Sequence, residues 1–301
     1  MASKLFLFAL CGLLMASGLT LIPLGFWWIG PLTSFHVQYL VCSLIAAGIL
    51  GWQRKKFGYA FLLAALGHGI TIAPSLLGEK RVDASEQDVR VFVSNVLTSN
   101  QEYAKFMEVV QEINPDVLVL TETSSTWLKA LKPLQATYPQ RISHPRSDNF
   151  GLAVWSRIPL QGEVHFFDSD LPTIVAEVEG AKTFTLVATH PIPPVSQRAL
   201  ERRNKQLQAI ARFASECATP VVVAGDLNTA SWSPALKDMR EQGSLKSAAS
   251  GWIPTWPVHQ FLLWIPLDHI LYSEGIGVSS FSRTRSIGSD HYPVIADLRP
   301  L

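Results

Sequence analysis

The sequence predicts an α/β domain with buried sheets, preceded by an all-α transmembrane anchor of three helices. Charged residues make up only 16% of the chain, and none lies between Lys4 and Arg54 or within residues 57–78. Beyond that point charges are frequent, and short β-rich runs alternate with helical patterns, which is typical of helices covering buried sheets. We therefore divide the chain into an anchor, residues 1–80, and a second domain, residues 81–301.

Three apolar segments form the predicted anchor. A bilayer crossing takes about 20 residues, and we expect helices at about 5–22, 35–53 and 57–77. Pro23 and Pro31 interrupt the long neutral stretch and favour a break there. A cleaved signal peptide would account for the first segment alone, but the two segments that follow favour a multi-pass anchor.

Basic residues predict the orientation of this anchor. Lys4 precedes the first helix, the 22–34 connection carries no Lys or Arg, and the second connection contains the basic run at 54–56. The positive-inside rule places the N-terminus and the basic run in the cytoplasm. Three crossings then put the second domain outside the inner (plasma) membrane, in the periplasm or the extracellular space.

The cysteines and His68 do not indicate a functional motif. Cys11, Cys42 and Cys217 fit neither a disulfide framework nor a metal motif. His68 lies inside the third apolar segment, where we expect it to be hydrogen-bonded within the helix bundle.

Local patterns predict the elements of the second domain. Runs of β-branched and apolar residues predict strands, and apolar residues at helical spacing predict helices. In chain order, the predicted strands are residues 89–96, 116–122, 151–156, 173–179, 183–190, 221–225, 268–272, 277–283 and 292–298. The predicted helices are residues 100–113, a helix starting at a serine N-cap near 124, residues 196–216 and a helix near 232–242.

Polar residues recur at the ends of these strands. Each alone is typical of a turn or a solvated loop, because Asp and Asn readily bond their own backbone. As an ordered set they indicate a functional site. The set is Asn95, Glu122, His190, Asp226, Asn228, Asp268, Asp290 and His291.

The carboxylates and amides in this set suit metal-assisted attack of water on phosphorus. Glu122 and Asp290 offer the hard oxygen ligands that Mg²⁺ or Mn²⁺ prefers. Asp226 could orient or deprotonate a water molecule. Asn95 and Asn228 can hold a carboxylate or a phosphate oxygen without adding charge.

The two histidines suit the same reaction. His190 and His291 can donate hydrogen bonds to a phosphate whose charge builds up in the transition state. Asp268 behind His291 would fix its tautomer and favour its protonated form.

Several motifs together resemble the endonuclease/exonuclease/phosphatase superfamily, whose fold is shared by DNase I and neutral sphingomyelinases. They include "GDLN" and "SDHYPV", supported by "LTET", "TLVATHPIPP" and "PLDHIL", and the resemblance covers residues 88–300. It implies a DNase I-like, two-sheet, four-layer α/β sandwich whose strand ends converge in one cleft. It also implies a sharp turn at Gly225.

The resemblance assigns roles residue by residue. It implies that Glu122 is the metal-binding glutamate, with Asn95 and Asp290 on the metal side. The implied catalytic residues are His190, Asp226, Asn228, Asp268 and His291.

Substrate class is the open question, because a fold does not choose a substrate. A nuclease should carry a basic footprint, but residues 80–301 hold 21 basic and 23 acidic residues, a net charge of −2. A nucleic-acid partner therefore has no support from charge. A non-catalytic, membrane-tethered binding module would be expected to lack some site residues, and none is missing. We predict no protein partner.

A lipid substrate is favoured by two features. The anchor would hold the cleft close to lipid head groups, and the uncharged, tryptophan-rich stretch 251–266 is unusual for a surface loop. We expect Trp252, Trp256 and Trp264 to contact the bilayer or a lipid chain, unless they pack on the protein itself. Arg157 is a candidate phosphate ligand, although a surface ion pair explains it equally well.

The layout of anchor and domain also resembles the teicoplanin-resistance membrane proteins of actinomycetes, which are associated with undecaprenyl pyrophosphate phosphatase activity. This resemblance implies a lipid-linked phosphate or pyrophosphate at the outer leaflet as the substrate.

Overall fold

A computed structural model describes residues 2–22 and 27–301; Pro23, at the predicted break, lies outside the described residues. The helices are α1 Ala2–Thr20, α2 His36–Trp52, α3 Gly58–Leu77, α4 Tyr103–Ile113, α5 Ser125–Ala130, α6 Gln197–Glu216 and α7 Pro234–Gln242, with 3₁₀ helices at Pro31–Phe35, Lys132–Gln135 and Phe261–Leu263. The strands are β1 Val89–Asn95, β2 Val117–Thr121, β3 Gln140–His144, β4 Leu152–Ser156, β5 Leu160–His165, β6 Thr173–Glu179, β7 Thr183–Thr189, β8 Val221–Asp226, β9 Lys246–Ser247, β10 Asp268–Tyr272, β11 Ile276–Arg283 and β12 Val294–Pro300.

The strands form two six-stranded sheets of mixed direction. The first has the order β11–β12–β1–β2–β4–β3, and the second has the order β5–β6–β7–β8–β10–β9. Each sheet has a parallel pair near its centre, β1 with β2 and β7 with β8, whose connections contain α4 and α6. The other strand pairs of the described chain are antiparallel.

Four layers result from the way these sheets are covered. The two sheets pack face to face through apolar side chains that both supply, such as Val91 and Val222. Helices α4 and α5 cover the outer face of the first sheet, where Phe106 is buried, and α6 and α7 cover the second with Leu207 and Met239. Full burial of one such side chain is worth about 1.5–3 kcal/mol. The predicted two-sheet α/β sandwich is the architecture of the structure.

The N-terminal helices form a bundle that packs on the domain, and the predicted boundary at residue 80 falls between α3 and β1. Two stretches of the described chain, Pro31–Trp52 and Gly58–Leu77, are long and apolar enough to cross a membrane. The described apolar part of α1, Phe8–Thr20, is shorter. Two of the three predicted crossings therefore meet the length requirement, and the third stays a prediction.

A buried chain of hydrogen bonds joins the three helices of this bundle. Ser17 Oγ lies 2.6 Å from His68 Nε2, and His68 Nδ1 lies 2.6 Å from His36 Nδ1. The sequence led us to expect His68 to be bonded inside the bundle, and the structure has this arrangement.

Candidate active site

Strand direction brings the predicted site residues to one edge of the sandwich. The parallel strands β1, β2, β7 and β8 end at this edge, and they end in or lead directly into Asn95, Glu122, His190 and Asp226. A strand antiparallel to β8 begins at the edge where β8 ends. Strand β10 is such a strand, and its first residue, Asp268, lies opposite Asp226. The sandwich thus collects polar residues that are far apart in sequence.

Asn95 links the two sheets across the site. Its Nδ2 donates to Glu122 Oε1 and to Asp226 Oδ2, each at 3.0 Å. Its Oδ1 accepts from the Leu97 backbone N–H at 3.0 Å, which fixes the orientation of the amide. One neutral side chain therefore holds two carboxylates from opposite sheets close together.

Two site residues adopt the left-handed backbone conformation that non-glycine residues rarely take. Glu122 has φ +61° and Asn228 has φ +49°. Thr98 holds Glu122 in place, donating its backbone N–H to Oε2 at 3.2 Å and its hydroxyl to the Glu122 carbonyl at 2.9 Å. Asn228 donates its side-chain amide to the Pro191 carbonyl at 2.9 Å. Such backbone outliers cluster at functional sites.

Gly225 has a different role from the turn expected from the sequence. It lies inside β8 with φ +148°, and a Cβ on it would come within 1.9 Å of the Thr189 carbonyl oxygen. The glycine therefore lets the end of β7 approach β8 closely, which brings His190 beside Asp226.

Asp226 is almost fully buried and is held as a carboxylate. Its Oδ1 accepts the Asn228 backbone N–H at 2.9 Å. Burial alone raises the pKa of Asp226. The charges of His291 and His190, together with the surrounding N–H donors, outweigh burial and lower this pKa below the usual aspartate range. Asp226 is thus ionised at neutral pH.

His291 pairs with a second buried carboxylate. Its Nδ1 donates to Asp268 Oδ2 at 2.8 Å, and its Nε2 lies 3.6 Å from Asp226 Oδ2. Burial alone lowers the pKa of His291, but the neighbouring carboxylates, Asp268 first and Asp226 next, raise it to about 10. A protonated imidazole therefore stands beside an ionised carboxylate.

His190 and Asp290 complete the predicted set. His190 Nδ1 donates to the Asp226 carbonyl at 3.0 Å, which leaves Nε2 on the other side of the ring, 3.9 Å from Glu122 Oε1. Asp290 Oδ2 accepts the indole N–H of Trp256 at 3.0 Å. This bond places the Trp256 ring in the wall of the same cleft.

An open cleft of about 460 Å³ contains these side chains. Four carboxylates line it, those of Glu122, Asp148, Asp226 and Asp290, and no Lys or Arg is among the described residues that line it. These carboxylates outnumber the single protonated imidazole of His291, so a phosphate anion would be repelled by this surface unless a metal cation were present. The charge of the cleft therefore fits a divalent ion.

Two groups of ligands could hold such an ion. Asp226, Asp268 and His291 present ligand atoms within 4.8 Å of one another. Glu122 offers a second position: each carboxylate oxygen accepts one N–H bond, so lone pairs remain free on both. Hard carboxylate oxygens of this kind suit Mg²⁺ or Mn²⁺.

Arg157, a predicted phosphate ligand, is not in the cleft. Strand β4 runs antiparallel to β2, so its last residues lie at the opposite edge of the sheet. Arg157 donates to the Pro115 carbonyl and lies 3.5 Å from Asp116 Oδ1. We remove it from the candidate site, because its charge is used in this surface pair.

The three predicted substrate tryptophans have different environments. Trp256 lines the cleft, whereas Trp252 is 41% exposed outside it. Trp264 packs on the protein itself, with the guanidinium of Arg283 4.8 Å from its ring centre. The structure therefore brings only Trp256 to the catalytic groups.

Sequence patterns did not indicate several residues of the cleft. Asp148 and Phe150 come from the loop before β4, and the Phe150 ring lies 5.5 Å from that of His190. Pro31, Ser34 and Phe35 come from the N-terminal segment. Neither group follows a predicted strand, so the pattern that located the other residues gave no signal here.

Comparison with known protein families gives one match. Residues 92–291 match the Endonuclease/Exonuclease/phosphatase family. The chain belongs to this family. Its members are phosphoester hydrolases and are typically dependent on divalent metals. Among curated proteins, none matches the chain.

Solved structures of several other proteins share the fold. One is D. rerio TDP2 complexed with single-strand DNA product, at 15% identity and TM-score 0.59, covering 70% of this chain and 99% of that chain. Another is the family member from Beutenbergia cavernae, at 20% identity and TM-score 0.57, covering 73% and 72%. A third is sphingomyelinase C from Streptomyces griseocarneus, at 19% identity and TM-score 0.54, covering 70% and 99%. At these identities the likeness extends to the fold alone.

Proposed function

We propose that this protein is a membrane-anchored, divalent-metal-dependent phosphoester hydrolase that acts on a lipid-linked phosphate or pyrophosphate. The observation that carries the hydrolase assignment is the buried pair formed by Asp226 and His291, whose Oδ2 and Nε2 atoms lie 3.6 Å apart in the open cleft. A base and a hydrogen-bond donor side by side are what hydrolysis of a phosphoester needs.

Each residue of the pair has a defined task in this reaction. Asp226 orients the attacking water and accepts its proton as the new oxygen–phosphorus bond forms and the bond to the leaving oxygen breaks. His291 donates its Nε2–H to a phosphate oxygen while Asp268 holds the ring at Nδ1. Asn95 fixes the position of Asp226 and adds no charge.

A divalent ion is part of the proposal because of the charge of the cleft. Glu122 and Asp290 would hold it, with Asn95 orienting the glutamate. When bound, Mg²⁺ or Mn²⁺ supplies positive charge that neutralises the phosphate and polarises its oxygens. We prefer this position to the Asp226–Asp268–His291 group, because a protonated histidine cannot ligate a metal.

Membrane anchoring rests on the surface of the N-terminal helices. Only 28% of each candidate span is buried, whereas a core helix of a soluble protein would be mostly buried. Exposed apolar side chains such as Leu63 and Ile70 on α3 support contact with lipid. The basic residues at 54–56 favour a cytoplasmic position for the α2–α3 connection and an external position for the domain.

A lipid-linked substrate is supported by the apolar part of the cleft. Beside the carboxylates, the cleft lining includes Phe150, Val195, Ile265 and Leu267. These apolar side chains would contact the hydrocarbon chain of a lipid rather than a sugar–phosphate backbone. The resemblance in layout to the teicoplanin-resistance membrane proteins points to the same class. Sphingomyelinase C, which shares the fold, is named for a lipid substrate.

A nuclease is the second candidate, because a protein of this fold has been solved with a single-strand DNA product. To separate the two, detergent-purified full-length protein is given Mg²⁺ or Mn²⁺ with either undecaprenyl pyrophosphate or plasmid DNA. We expect phosphate release from the lipid, intact plasmid, and loss of the reaction in EDTA. Nicked plasmid with unreacted lipid would establish the nuclease, and no metal-dependent reaction with any phosphoester would favour a binding module.

A further inference from the structure

The 3₁₀ helix Pro31–Phe35 lies in the catalytic cleft, although it belongs to the N-terminal segment. Pro31, Ser34 and Phe35, which we call the anchor wall, line the same cleft as Asp226 and His291. An anchor that served only as a tether would need no residue in the active site.

Hydrogen bonds fix both sides of the anchor wall to the domain. The indole N–H of Trp232 donates to the Thr33 carbonyl at 2.9 Å, and the Gln38 amide donates to the Trp264 carbonyl at 2.9 Å. Trp232 follows Asp226 in the loop after β8, and Trp264 lies just before Asp268. The wall is thus bonded to the two loops that flank the catalytic carboxylates.

A shared apolar cluster strengthens this attachment. Ile72 of α3 is buried with Ala230 and Trp232 of the domain, and Val37 and Leu40 of α2 pack against them. Closely packed interiors do not slide freely. The wall therefore keeps a fixed position relative to the catalytic residues.

An apolar path leads from the wall along α2. Residues seven apart lie on the same helix face, and Cys42 and Ile49 of α2, which begins directly after Phe35, have this spacing and are both exposed. Val195, another residue that lines the cleft, is 69% exposed. A lipid chain that leaves the cleft past Phe35 and Val195 would therefore meet apolar surface.

We infer that the anchor wall is a substrate-binding element, which holds the apolar chain of a lipid-linked substrate next to the catalytic pair and lets that chain pass from the bilayer along α2. This inference rests on the proposed function and deepens it. It makes the N-terminal helices a determinant of specificity as well as an attachment to the membrane.

The test compares a lipid substrate with soluble substrates in the same set of enzyme variants. Phe35→Ala and Phe35→Leu are assayed with undecaprenyl pyrophosphate in micelles and with the soluble esters p-nitrophenyl phosphate and bis-p-nitrophenyl phosphate. Phe8→Ala, which removes an exposed aromatic ring from α1, is the matched control. Thermal melts of all variants report whether the bundle and domain remain joined.

We expect Phe35→Ala to lower kcat/KM for the lipid by about 10-fold to 100-fold, at least ten times more than for the soluble esters. Phe35→Leu should restore most of the loss, because it returns apolar surface, and Phe8→Ala should match the wild type. Equal losses on both substrate types, or no loss on the lipid, would overturn the inference.

The controls also separate this inference from the proposed function. Wild-type protein that hydrolyses the soluble esters but not the lipid would overturn the anchor wall as a lipid site and leave the hydrolase assignment intact. Wild-type protein that hydrolyses neither with Mg²⁺ or Mn²⁺ would overturn both. Binding of undecaprenol, which has the same apolar chain and no phosphate, in EDTA gives a readout without turnover when followed by tryptophan fluorescence, and Phe35→Ala should weaken it.

Discussion

Asp268 sets the orientation and the pKa of His291. Its Oδ2 accepts from His291 at 2.8 Å, while its Oδ1 is buried without a hydrogen-bond donor among the described residues. The negative charge of Asp268 is therefore directed mainly at the imidazole. This charge is the first of the favourable influences that raise the pKa of His291 to about 10.

Replacing Asp268 with asparagine should change both rate and pH dependence. Asn keeps an acceptor for His291 Nδ1 but removes the charge that stabilises the imidazolium, so the pKa of His291 should fall. His291 then loses its proton at a lower pH than in the wild type. The alkaline limb of the pH–rate profile should therefore move to lower pH, and kcat should fall by at least about 10-fold. Asp168→Asn, at an exposed residue, is the control. An unchanged alkaline limb would contradict the role given to Asp268.

At the residue level, the sequence located the catalytic groups better than the binding groups. Asn95, Glu122 and Asp226 follow apolar runs, so their strand-end position is visible in the pattern. Arg157 also follows such a run, but strand direction, which a single sequence does not reveal, sends it to the opposite edge. Phe35 reaches the cleft only through the packing of the bundle on the domain.

Among the elements, the strands that the sequence did not indicate are all edge strands. β3 and β9 end their sheets on one side, and β5 ends the second sheet on the other. Their residues are largely exposed or half-buried, whereas β2, β4 and β8 are buried throughout. A strand with one free edge and little burial needs no apolar pattern, so periodicity gave no signal for it.

The close approach of β7 and β8 predicts the effect of one substitution. In Gly225→Ala, the new Cβ would overlap the Thr189 carbonyl, so the two strands must separate and His190 must move away from Asp226. We expect loss of at least about 2 kcal/mol of unfolding free energy and a large fall in turnover.

Gly251→Ala separates this overlap from the cost of the backbone conformation. Gly251 also has a positive φ, +84°, but nothing lies within 4 Å of a Cβ placed there. Gly251→Ala should lower the free energy of unfolding by about 1 kcal/mol, because of the backbone conformation alone. Equal melting temperatures for the two variants would show that the contact with Thr189 does not constrain the strands.

For the whole molecule, the domain and the basic connection lie at opposite ends of the helix bundle. Thr33, before α2, touches the domain through Trp232, and α3 leads into the domain at its C-terminal end. The basic connection at 54–56 lies at the other ends of α2 and α3. If these helices span a membrane, the positive-inside rule predicts that the basic end is cytoplasmic and that the domain lies outside.

This topology can be tested by labelling single cysteines. In a background with Cys11, Cys42 and Cys217 changed to serine, Lys182→Cys and Lys55→Cys are treated with a membrane-impermeant maleimide in intact spheroplasts. Both lysines are exposed in the structure. We expect the cysteine at 182 to be labelled at once and the cysteine at 55 only after the membrane is permeabilised. The reverse pattern would place the domain in the cytoplasm, and equal labelling would argue against spanning helices.

The measurement that tests the central claim most directly is metal-dependent phosphate release by the wild type, Asp226→Asn and His291→Gln. Asp168→Asn and His165→Gln serve as matched controls at exposed positions. We predict that the two site variants lose at least about 10²-fold in turnover, while their melting temperatures stay close to that of the wild type. The control variants should keep full activity. EDTA should abolish the wild-type reaction. Substantial turnover in either site variant, or wild-type turnover that persists in EDTA, would contradict the account.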